Sequence, residues 1–119
     1  MARTCDHILS PSAVPGDRRE VQGQGREQQH GYVHAGVVTT LADHTAGGAA
    51  STEVRPGQSV LTADFTVHLL RPASGELLRC RGDVVKVGKR LIVTQADVWD
   101  GETHCARYLG TMAVVDQAL

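Results

Sequence analysis

The sequence predicts an α+β domain in which a curved antiparallel sheet wraps around one long central helix. Two observations carry this prediction. Across residues 36–52 nearly every side chain is apolar or small, and Val37, Val38, Leu41, Ala42, Thr45, Ala46 and Ala49 cover most of a helical circumference, as in a helix buried by its surroundings. From Val60 the period changes to two: Leu61, Ala63, Phe65, Val67 and Leu69 alternate with Thr62, Asp64, Thr66 and His68, the signature of a long strand with one buried face.

Taken in order, residues 10–29 are rich in Pro, Gly, Arg, Gln and Glu and nearly free of large apolar side chains. They predict loops or a weak edge segment, so residues 1–27 are assigned to an irregular N-terminal arm and 28–119 to the folded domain. His30-Gly31-Tyr32-Val33 leads into the helix. The Gly47-Gly48 pair inside it costs about 1 kcal/mol per glycine relative to alanine, which implies that another element approaches the backbone closely there. Pro56-Gly57 marks the turn after the helix. In the first long strand the odd positions are expected to face the core. A turn at 71–75 precedes a second strand over 76–87, in which Leu78, Cys80, Gly82, Val84 and Lys86 share a face. Gly88-Lys89-Arg90 reverses the chain into a third strand over 91–99. Asp100-Gly101 then turns it into a fourth over 103–115, with Cys105, Arg107, Leu109, Thr111 and Ala113 on one side. The four strands are expected to form a meander with the Ala/Gly-rich helix in its curl. One helix shields one face only in part and leaves an edge strand open, so at least a dimer is expected.

Composition excludes several classes. A chain of 119 residues is one domain, and a net charge of −1 with mixed signs gives no basis for nucleic acid as a partner. No apolar run approaches the ~20 residues that span a bilayer. Cys5, Cys80 and Cys105 are odd in number and lack CxxC spacing, which argues against a disulfide framework or zinc knuckle and for a reducing compartment. The opening Met-Ala-Arg-Thr-Cys-Asp has no apolar core of an export signal, so the expected location is cytoplasmic.

The chemistry concentrates at His34-Ala35-Gly36 and Leu41-Ala42-Asp43. A helix start offers unpaired backbone N–H groups and partial positive charge, which suit a carbonyl oxygen that becomes negative. Asp43 lies about 10 Å further along the axis at ~1.5 Å per residue, and an acid in an otherwise apolar helix needs a partner or a task. His34 is as well explained by capping or packing the turn as by chemistry. His30 and His34 are four apart, yet no acid or cysteine joins them at a familiar spacing, so neither a metal nor another cofactor is expected.

Together these residues resemble the PaaI-type acyl-CoA thioesterases of the hotdog fold. That family opens its central helix with His-Gly-Gly, a short apolar stretch and an Asp, matched here by His34-Ala35-Gly36 and Asp43. Gly31-Tyr32-Val33, Val60-Leu61-Thr62, Leu69-Leu70-Arg71-Pro72-Ala73 and Gly88-Lys89-Arg90-Leu91 match as well. The resemblance implies hydrolysis of an acyl-CoA thioester with no metal or redox cofactor. Asp43 would be general base or nucleophile, and the backbone N–H at Ala35, with Gly36 beside it, would polarise the carbonyl. It further implies that Thr62 helps hold the attacking water and that Gln28, where relatives often carry Asn, contacts the reacting end. Arg71, Lys89 and Arg90 are the preferred partners of the CoA phosphates, ahead of Arg79 and Arg81. Asp43 of one protomer would act on a carbonyl held by the helix start of the other, in a homodimer that pairs into a homotetramer. The chain departs from the family pattern at Ala35 and Gln28 and through its first thirty residues. Two alternatives stay open: a non-catalytic acyl-CoA sensor, and a hotdog hydratase or dehydratase, whose His-Phe-Pro-type entry is absent.

Overall fold

Small side chains set the course of the helix, α1 (Ala35–Ser51), which begins and ends one residue before the sequence boundaries. The computed structural model describes residues 4–9, 35–74 and 77–117. Thr40, Thr45 and Ser51 each donate to the carbonyl four residues back at 2.8 Å. That bond satisfies the Thr45 hydroxyl, which allows its complete burial. After the helix, Pro56 and Gly57 form the expected turn: Gln58 N–H donates to the Arg55 carbonyl at 3.0 Å, and Gly57 has φ +88°, the conformation a type II turn requires at its third residue.

Among the described residues five strands form one antiparallel sheet: β1 (Thr4–Leu9), β2 (Gln58–Leu69), β3 (Leu78–Val87), β4 (Leu91–Asp100) and β5 (Thr103–Asp116), in the spatial order β1-β3-β4-β5-β2. β3, β4 and β5 are joined by the two tight reversals read from the sequence. Gly88 N–H bonds the Leu91 carbonyl at 2.8 Å, and Gly101 adopts φ +62°.

Two expectations about the sheet are corrected. The four strands are not one meander, because β2 pairs with β5 at the far edge while β3 pairs with β1. The segment that leaves β2 contains Pro72, which cannot join a strand ladder, and it carries the chain across the sheet instead of reversing it in place. Thr4–Leu9, read as part of an irregular arm, is a strand. Its residues show no apolar alternation, and the strand is held by its ladder to β3 and by a 2.7 Å bond from Thr4 Oγ1 to Asp83 Oδ1. Tertiary pairing outweighs the weak local signal here.

α1 crosses the sheet chiefly over β3 and β4. The core between them holds Leu41, Leu78, Ile92, Val98, Tyr108 and Met112, all buried. The closest approach of helix to sheet falls on a strand glycine and not, as expected, on the helix pair. A Cβ on Gly82 would lie 2.8 Å from the Thr45 carbonyl oxygen, whereas one on Gly47 would meet nothing within 4 Å. Gly48 does face a neighbour, with Cys5 Sγ of β1 3.0 Å from the position its Cβ would take. Gly82→Ala is therefore expected to lower stability by about 1–3 kcal/mol, since backbone meets backbone and no flexible side chain can yield. Thermal unfolding of the variant beside Gly47→Ala, which should be near neutral or stabilising, checks this.

Bulges correct the facing of three strands. The β2–β5 register shifts between Thr62 and Asp64, so Val60 and Thr62 point to the helix side before Ala63, and Phe65, Val67 and Leu69 do so after it. The expectation that all odd positions face the core holds only beyond the bulge, and Leu61 is 61% exposed on the outer face. A second shift between Val84 and Lys86 sends Lys86 to the outer face, away from Leu78, Cys80, Gly82 and Val84. In β5, Arg107, Leu109, Thr111 and Ala113 share the outer face, and Cys105 sits at a third shift, buried.

Candidate active site

Asp43 stands half-buried on the flank of α1 that faces β2 and β5, next to the fully buried Leu41 and Ala42. Its Oδ1 accepts two hydrogen bonds, from Thr62 Oγ1 at 2.8 Å and from Tyr108 Oη at 2.6 Å. Thr62 reaches it because the bulge at Ala63 keeps the even residues of early β2 turned inward, beside Met112, whose sulfur lies 3.4 Å from the threonine hydroxyl. Tyr108 is fully buried. Burial first, and then the bond to Asp43, push its phenol above the ordinary range, so it remains protonated and donates to the carboxylate.

The tyrosine is packed on both sides. Phe65 stacks on it with ring centroids 5.4 Å apart and planes 18° from parallel. Gly110, opposite Phe65 in the ladder, leaves room for it: a Cβ there would lie 2.5 Å from the phenol oxygen.

Asp43 opens into a cleft of about 340 Å³ shared with His44, Gly47, Gly48, Thr62 and Met112. The helix start opens elsewhere. Ala35 lines a cleft of about 290 Å³ with Val38, Leu69, Leu70, Arg71 and Cys105. Eight residues separate Ala35 from Asp43, about 12 Å along the axis, so a single protomer does not bring the acid and the helix start to one carbonyl.

The candidate cations are likewise divided. Arg71, whose Nη1 donates to the His104 carbonyl at 3.1 Å, lines the helix-start cleft. Lys89 and Arg90 line a separate cleft of about 370 Å³ at the β3–β4 hairpin, with Lys86 and Leu91. Arg79 lies over the Trp99 ring at 4.6 Å, and Arg81 pairs with Asp83 at 3.3 Å. Gln28 and His34 lie outside the described residues, as does His30.

Two features were not singled out in the sequence. Tyr108 was legible in principle: strand alternation puts it on the core face of β5, where a buried phenol needs a polar partner. Asp97, 6% exposed on the outer face, accepts from His104 Nε2 and Arg107 Nε, each at 2.8 Å. Nothing in the strand pattern marks it. Among the described residues no group of three His, Cys, Asp or Glu side chains can hold a metal ion, and no helix is long and apolar enough to cross a membrane.

Comparison with known proteins adds to this geometry. Residues 30–107 match the model of the thioesterase superfamily. A protein of Saccharolobus solfataricus assigned as an esterase is 32% identical over 87 residues, 71% of this chain and 56% of its own. The chain spans a little over half the length of the curated relatives it matches, 56% and 52%. Among solved structures, a thioesterase family protein of Silicibacter pomeroyi superposes with a TM-score of 0.80 at 32% identity, covering 95% of this chain and 78% of that one. A Bacillus halodurans protein solved with CoA shares the fold, with a TM-score of 0.76 at 24% identity over 92% of this chain and 66% of that one. A structure from Thermanaerovibrio acidaminovorans described as hot-dog-like does so too, at a TM-score of 0.76 and 16% identity over 95% and 81% of the two chains.

Proposed function

The chain belongs to the thioesterase superfamily and has its hotdog fold, and from that premise we propose that it hydrolyses an acyl-CoA thioester to the free acid and CoA. One observation carries the proposal: Asp43 is fixed through one oxygen by Thr62 and Tyr108 beside an open cleft. A carboxylate anchored at Oδ1 has its second oxygen available to a reactant, which suits it to take a proton from water or to attack the thioester carbon itself. In the first case water adds to the carbonyl, the carbon–sulfur bond breaks, and the proton taken by Asp43 passes to the departing thiolate. The growing charge on the carbonyl oxygen falls to the backbone N–H at Ala35, with Gly36 beside it, at the start of α1.

Because these parts open into different clefts of one protomer, the reaction needs two copies, with Asp43 of one facing the helix start of the other. The surfaces available support such a dimer. Among the described residues β2 has a strand neighbour on one side only, and Phe65 and Leu69, on its helix side, are 46% and 57% exposed. We assign the dimer to pairing through this edge, and the homotetramer to two such dimers. Arg71 at the helix-start cleft is the first candidate for the CoA phosphates, with Lys89 and Arg90 reaching the ligand from their own cleft. The CoA held by the Bacillus halodurans protein supports this ligand class. Gln28 keeps the contact with the reacting end that the resemblance implies, and His34 its place in the matched motif, within a domain over 28–119 that works in the cytoplasm.

The test is thiol release from a panel of short-chain, long-chain and aryl-acetyl CoA thioesters. Turnover of one class supports the proposal and begins to name the substrate. Tight CoA-ester binding without turnover overturns it in favour of an acyl-CoA sensor.

A further inference from the structure

We propose that Tyr108 is a positioning residue for Asp43, and that Phe65 and Gly110 form the seat that aims its hydroxyl at Oδ1. The inference rests on the reading of Asp43 as the acting carboxylate. It begins from a coincidence of constraints. A phenol with no exposed surface needs a hydrogen-bond partner, and this one donates at 2.6 Å to a carboxylate 65 residues away on the helix flank. The bond is short, as expected where the acceptor is ionised.

The geometry that aims it is costly in local terms. Gly110 interrupts the middle of β5, where glycine weakens a strand, yet any larger residue would collide with the tyrosine: a Cβ would come within 2.5 to 2.7 Å of its Oη, Cε1 and Cζ. Phe65 stands opposite Gly110 and closes the gap by stacking on the tyrosine ring. The ring therefore lies flat along the strand surface, with its hydroxyl delivered to the acid.

The consequence for the carboxylate is specific. Thr62 and Tyr108 both donate to Oδ1, so they fix the plane of the group and hold its charge on the anchored oxygen. That leaves Oδ2 as the oxygen for the reactant. The other charged and titratable groups around it are His44, next to it in the same cleft, and Asp64 of β2, whose charge acts on Tyr108. Neither donates to Oδ1.

The test is kcat and KM for CoA-thioester hydrolysis in Tyr108→Phe, Thr62→Val and Asp43→Asn, with thermal unfolding as a check on folding. Phenylalanine keeps the ring, the stack on Phe65 and the clearance over Gly110, and removes only the donor. Loss of a hydrogen bond that aims the acid is expected to lower kcat about tenfold and leave KM unchanged. Thr62→Val is expected to lower kcat in the same way, and the double variant further than either. An unchanged kcat, or a loss carried by KM, would show that Tyr108 only packs, and it would overturn the inference while Asp43→Asn, if inactive, keeps the reading of Asp43 intact. Full activity of Asp43→Asn would overturn both. If Tyr108→Phe unfolds early, Phe65→Leu, at a position 46% exposed, offers the same readout with the phenol kept: loss of the stack lowers kcat if the seat aims the hydroxyl and leaves kcat in place if it does not.

Discussion

Asp43→Asn is expected to lower thioester turnover by about 10²–10⁴-fold, the range over which a positioned base contributes. Asparagine preserves the size of the side chain and an oxygen able to accept from both Thr62 and Tyr108, so the contacts at 2.8 and 2.6 Å have an acceptor in the variant as well. What disappears is the negative charge and the ability to take a proton or to attack. The carboxylate is half-buried and neutralising it relieves desolvation, so stability should change by no more than about 1 kcal/mol. Steady-state thiol release beside thermal unfolding separates the two effects. A variant that melts like the parent and turns over at the parent's rate would remove Asp43 from the mechanism.

Ala35→Pro is the second large effect. The first residue of a helix is where proline is best tolerated, because its N–H has no partner in the helix and its φ is already set. α1 begins at Ala35, so the substitution removes one backbone donor and leaves the helix in place. If that donor polarises the thioester carbonyl, kcat is expected to fall by about 10²–10³-fold, as when one donor of an oxyanion site is deleted. Little change in kcat would place the polarising group elsewhere. The two variants also test the division of labour between protomers. Mixed and allowed to exchange subunits, inactive Asp43→Asn and Ala35→Pro chains would form dimers with one intact pair of parts, and about 25% of the parental activity should return. No recovery despite exchange would place both parts in one protomer.

Most of the architecture was legible because it is periodic. The helix shows in the run of small and apolar residues from Val37 to Ala50, interrupted at Asp43 and His44, and the strands and both tight hairpins show in alternation broken by Gly88 and by Asp100-Gly101. What escaped is what periodicity does not encode. The position of β2 beside β5 is a matter of where a crossing connection ends, and Thr4–Leu9 is a strand only because β3 offers it an edge. Gly82 looked like an ordinary strand residue until the Thr45 carbonyl was seen above it. In the site, Asp43 stood out as an acid in an apolar helix and Thr62 came from the resemblance, and the two are in hydrogen-bond contact. Tyr108 was not, because its pairing with Asp43 joins two elements of different period across 65 residues. Arg71 and the Lys89-Arg90 pair carried the same assignment in sequence, yet they open into different clefts.

The single extra residue in β2 has a consequence for how this chain can vary. Upstream of Ala63 the strand runs in one phase and downstream in the opposite one, so Thr62 and Phe65, three apart, both serve the helix side. Deleting Ala63 would remove the spare residue and turn no side chain over: Thr62 would stay opposite Met112 and Asp64 opposite Thr111, now as consecutive rungs, with Thr62 and Phe65 still on the helix side. Any other position of β2 has no such slack. A one-residue deletion there must turn over or unpair the side chains between it and Ala63, because the facing of a strand inverts with every residue. Ala63 is thus the one place in β2 where the length of the chain can change by a residue and the anchoring of Asp43 survive.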